Sequence, residues 1–72
     1  MSRLIWLVLH DGSSVLAGCG SVSHESVAKV IGERRFLTLT TDAGDEQIPA
    51  AAVRDFVLFD APDSAVVRLL RV

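Results

Sequence analysis

The chain lacks most of what would announce a chemistry. It has no tyrosine, one tryptophan and three phenylalanines, a poor supply for stacking the bases of a nucleic acid. Its single cysteine, Cys19, excludes an internal disulfide framework and fits a reducing compartment, so the cytoplasm is the expected location. Seven Lys and Arg against nine Asp and Glu leave a net charge of −2 and a pI near 5.5. That balance provides no broad basic field to draw the chain to DNA or to an anionic membrane. The longest apolar run, Leu4 to Leu9, is short for a signal sequence and far too short to span a bilayer.

Catalytic patterns are missing as well. A nucleophile-and-base hydrolase would need Cys19 or a serine beside His10 or His24, oriented by an acid such as Asp11 or Glu25. The residue types are present, but none stands in a motif. In "HD" and "HE" the would-be metal ligands are adjacent, and along a strand adjacent side chains point to opposite faces. No catalytic residue, metal site or cofactor is therefore expected. The acidic residues Asp42, Asp45, Glu46, Asp60 and Asp63 fall in or beside predicted turns, where Asp caps backbone.

What the chain has in surplus is apolar surface. The hydrophobic class makes up 50% of 72 residues; with the five glycines this is about 57%, against roughly 45–50% for an average soluble domain. Eight of these residues are alanines, which contribute little area each. A chain this short forms one domain, residues 1–72, with a thin core, and has proportionally more surface to cover with polar groups than a large protein. An excess of apolar residues therefore points to a homo-oligomer or to a protein partner.

Periodicity favours an all-β fold. Leu4 to Leu9 reads as a strand over about 3–10 that is buried on both faces, and "DG" at 11–12 as a tight turn extended by Ser13 and Ser14. "VLAGCGSV" returns as a strand whose glycines at 18 and 20 suggest a bulge or sharp bend. Residues 23–32 fit either a short helix capped by Ser23, with Val27, Val30 and Ile31 on one face and Gly32 as its stop, or a long bent strand. "RFLTLTT" alternates as a strand, "DAGD" turns it, and "EQIP" is a short strand closed by Pro49. "AAAV" fits one helical turn before the strand "VRDFVLFD". Pro62 and Asp63 turn the chain into a last strand, "AVVRLLRV", which Arg68 and Arg71 assign to an edge or an interface. The expected architecture is a small, strongly bent, five- or six-stranded antiparallel barrel or sandwich with at most one short helix.

Two stretches carry a resemblance. Apolar alternation ending in "LHDG", with Gly18 six residues after Gly12, resembles the first motif of Sm-like and Hfq-like barrels, and "IPAAAVRDFVLF" is similar to the single helical turn before their last strand. The resemblance implies a ring-forming β-barrel that binds RNA. The ring agrees with the composition, whereas RNA binding finds no support in charge or aromatic content.

The expected function is thus a non-enzymatic homo-oligomeric binding or assembly module, with Trp6 as a core or interface anchor. The alternative is a ring that binds RNA or a small anionic nucleotide. Its site would be Lys29, Arg34 and Arg35 around Gly32, where arginine forks clamp phosphate. "HDGSS" is assigned to a corner, and His10 to no chemistry.

Overall fold

A computed structural model describes residues 2–62 and 68–71. Strand β1 (Ser2–Leu9) runs into the predicted corner and returns as β2 (Ser14–Gly18). Gly12 takes a φ of +92°, and the Asp11 carboxylate closes the turn by accepting from the Ser13 N–H at 2.8 Å and the Ser13 hydroxyl at 2.6 Å. These bonds to the charged carboxylate hold Asp11 below its ordinary pKa.

Residues 23–32 resolve as helix. Ser23 caps α1 (His24–Gly32), accepting the Ser26 N–H through its hydroxyl at 3.1 Å. The helix is not stopped by Gly32 itself. Glu33 is the cap residue, and Arg34 follows in the left-handed region at φ +56°. Arg34 N–H donates to Ile31 and Arg35 N–H to Val30, both at 3.1 Å, which closes a Schellman motif with arginine where glycine is usual.

Strand β3 (Phe36–Thr41) and β4 (Gly44–Pro49) form the second hairpin, tightened by the Thr41 hydroxyl, which donates to the Gly44 carbonyl at 2.9 Å. The predicted helical turn is a 3-10 turn at Ala50–Ala52, and β5 (Val53–Ala61) pairs antiparallel with β1. The expected turn at Asp63 and the first part of the expected last strand lie outside the described residues. Strand β6 (Leu69–Arg71) is the part that is described.

The sheet order is β4-β3-β6-β2-β1-β5. The all-β expectation holds, but the barrel does not: among the described residues the sheet is open, with β4 and β5 at its two edges. It is mixed rather than antiparallel, because β6 runs parallel to β2. Nor is β6 an edge. It bridges the two hairpins, antiparallel to β3 along Thr38↔Arg71, Leu39↔Leu70 and Thr40↔Leu69. Its parallel register to β2 is the single pair Gly18↔Leu69, reinforced by the Gly18 N–H to the Arg68 carbonyl at 2.9 Å. Strand β5 runs in the same direction as β2, and both end near the start of β1, where Gly18 stands opposite Leu4 and Ala61 opposite Ser2, so β6 begins beside the end of β2 and runs on beyond it.

One face of the sheet makes the core. Ile5, Leu7, Ala17, Leu37, Leu39, Val53 and Leu70 pack there under Val27 and Val30 of α1, with Cys19 among them. Among the described residues no helix is long and apolar enough to cross a membrane.

Candidate assembly surface

Strict alternation along β1 sends Ile5, Leu7 and Leu9 into the core and Leu4, Trp6 and Val8 to the other face. Cross-strand register then assembles that outer face. Trp6 stands opposite Leu16 on β2 and Val57 on β5, and Leu4 opposite Gly18 and Phe59. Leu69 joins beside Gly18, which contributes no side chain. Leu4 is buried, but Trp6 remains 46% exposed, Leu16 45%, Val57 53% and Leu69 55%. No element among the described residues lies over this row, because α1 occupies the opposite face.

The exposed parts of these four side chains amount to roughly 400 Å² of apolar surface, taking about 250 Å² for a full tryptophan and less for the aliphatics. In absolute size this matches the largest patch of an ordinary monomer, about 300–600 Å². It is carried, however, by a chain of only 72 residues. The surplus grease of the sequence is therefore gathered on the uncovered side of a one-sided sheet. Of this surface only Trp6 was singled out from the sequence. Leu16, Val57 and Leu69 sit in stretches apolar at successive positions, where alternation cannot say which residue faces out.

The predicted anion-binding residues lie elsewhere. Lys29 is exposed on α1, and Arg34 and Arg35 are exposed just past its end. Glu33 stands among them, with its carboxylate 3.9 Å from the Arg35 guanidinium. The three cations thus share one end of the helix with an acid. An open groove of about 380 Å³ is lined by Thr41, Asp42, Ala43, Glu46 and Arg68; its charges are of both signs and set no single ligand chemistry.

The residues considered for catalysis are dispersed. His10 and Asp11 form the first corner, while His24 opens α1 and stacks on Phe56 with ring centroids 4.7 Å apart. Cys19 is buried, and burial pushes its thiol pKa up, with Asp60 adding to the rise and Arg3 opposing it. A thiol so placed is held away from its nucleophilic thiolate form. Among the described residues no three His, Cys, Asp or Glu side chains gather as metal ligands. Compared with family models, with curated proteins and with solved structures, the chain finds no match in any of the three.

Proposed function

We propose that this protein is a non-enzymatic assembly module whose copies associate through the outer face of the sheet. The observation that carries the reading is the row Leu16, Trp6 and Val57, with Leu69 near it, left uncovered on three adjoining strands and across β6. A stable protein interface buries on the order of 800 Å² per partner, about two-thirds apolar at its centre. Some 400 Å² of contiguous apolar surface supplies most of such a centre. Trp6 in the middle has the size and rigidity of an interface anchor. A second copy is the favoured occupant because it brings an equally large apolar row.

The test replaces Leu16 and Leu69 by lysine. Both side chains are about half exposed, so the fold tolerates the change while two charges per copy enter the contact. Light scattering across micromolar concentrations is expected to give a mass above 7.7 kDa for the parent chain and a return to the monomer for Leu16→Lys/Leu69→Lys with unchanged circular dichroism. A parent chain that stays monomeric at about 100 μM, or a double variant that assembles as before, refutes the reading.

A further inference from the structure

The backbone of β5 contains a second, separately testable contact. In an antiparallel ladder, alternate residues turn their N–H and C=O to alternate neighbours. Arg3 accepts from the Cys19 N–H at 3.0 Å and Leu9 donates to Ser13 at 2.9 Å, so the odd residues of β1 face β2 and its even residues face β5. Leu4, Trp6 and Val8 lie opposite Phe59, Val57 and Asp55. These odd residues of β5 are therefore the ones bonded to β1, which leaves Phe56, Leu58 and Asp60 presenting their backbone groups to the open edge. One bond confirms the parity: the Phe56 N–H, unclaimed by β1, is taken by the Asp55 carboxylate at 2.8 Å.

The two edges of the sheet differ. Strand β4 is guarded by Asp45, Glu46 and Pro49, the charges and proline that discourage strand addition. Strand β5 is nine residues long with "FVLF" at its centre and no lysine or proline within it. Of its three charged residues two are symmetric about Val57, Arg54 three residues before it and Asp60 three after, while Asp55 has Phe59 as its counterpart. Arg54 and Asp60 are exposed, and among the described residues neither is held in an ion pair. Arg54 is also the residue β1 skips at the bulge, where Val8 pairs with Asp55 and Leu9 with Val53, so no strand neighbour on β1 competes for it.

We infer that two copies of this chain pair β5 to β5 about a two-fold axis through Val57, joining their sheets into one. In that register Phe56 of each copy exchanges backbone hydrogen bonds with Leu58 of the other, and Arg54 lies directly opposite Asp60, twice. The neighbouring registers permitted by the same parity lose this match: an axis through Leu58 sets Arg54 against Pro62, and one through Phe56 sets Asp60 against Ala52. Pairing displaces the Asp55 carboxylate from the Phe56 N–H. It also brings the two Val57 side chains together on the outer face, so the apolar rows of both copies become one. The inference rests on the proposed self-association and adds an edge contact between copies to the outer-face one.

Charge reversal and amide exchange test it together. Arg54→Asp alone and Asp60→Arg alone each replace two attractions by two repulsions, and each is expected to weaken association by about tenfold or more. Mixing the two variants restores opposite charges at both contacts and is expected to recover the parent mass. Because Asp60 also lies opposite Arg3, the parent chain supplies an independent measurement: the Leu58 and Asp60 amides exchange slowly when associated and quickly on dilution. Association that leaves these amides fast, or that ignores the charge reversals, overturns edge pairing while self-association through the outer face stands. A parent chain monomeric at every concentration overturns both.

Discussion

Arg34 offers the sharpest check on the local structure. Its φ of +56° places an L-residue in the left-handed region at the end of α1, a conformation that costs about 1–2 kcal/mol with a Cβ and nothing for glycine. Glycine in turn adds about 0.4–1 kcal/mol of unfolded-state entropy. Comparing Arg34→Gly with Arg34→Ala isolates this difference, because both variants lose the same exposed guanidinium and its favourable place at a helix C-terminus. The glycine variant is expected to be more stable than the alanine variant by about 0.5–1 kcal/mol. In a domain this small, 1 kcal/mol moves the melting temperature by about 4–8 °C, so the gap falls at about 2–8 °C. Thermal melts followed by circular dichroism read it directly. An Arg34→Gly variant melting at or below Arg34→Ala would refute the left-handed cap and, with it, the Schellman bonds from Arg34 and Arg35.

Two further predictions concern the bridge and the first corner. Leu70 is buried opposite Leu39 on the strand that joins the hairpins; Leu70→Ala is expected to cost about 2–5 kcal/mol of the roughly 4–11 kcal/mol available to 72 residues, and a loss below about 1 kcal/mol in urea unfolding would contradict its central place. Asp11 has a folded pKa below its ordinary 3.8, so the stability it adds is fully present above the unfolded pKa and is lost as pH falls through the folded one. The melting difference between the parent chain and Asp11→Ala is accordingly expected to shrink as pH drops below about 4; a difference constant down to pH 2.5 would show that the Ser13 bonds do not depend on the carboxylate charge.

Elements made by neighbours along the chain were legible from the residues alone. The Asp11-Gly12 corner, the turn between β3 and β4 and the 3-10 turn after Pro49 each depend on a few adjacent side chains and on the φ their residues accept. The helix over 23–32 stayed open between two readings, since Val27, Val30 and Ile31 are β-branched and suit a strand as well. Burial against the core cluster, not intrinsic preference, settled it. Gly32 misled as the stop because the left-handed residue lies two positions later, at an arginine, where composition gives no signal.

Strand order was beyond local reading. The arginines of β6 suggested an edge, yet its backbone partners are β3 and β2, and nothing in "RLLR" specifies which strands will claim it. Because β5 ends near the end of β2, β6 begins there and runs parallel to β2 for one pair only. Composition alone led to the expectation that the chain carries more apolar surface than its small interior absorbs. Only the tertiary structure decided where the excess lies, because a sheet covered by one helix hides one face of each strand, and cross-strand register, which no single strand encodes, gathers Leu16, Trp6 and Val57 on the other.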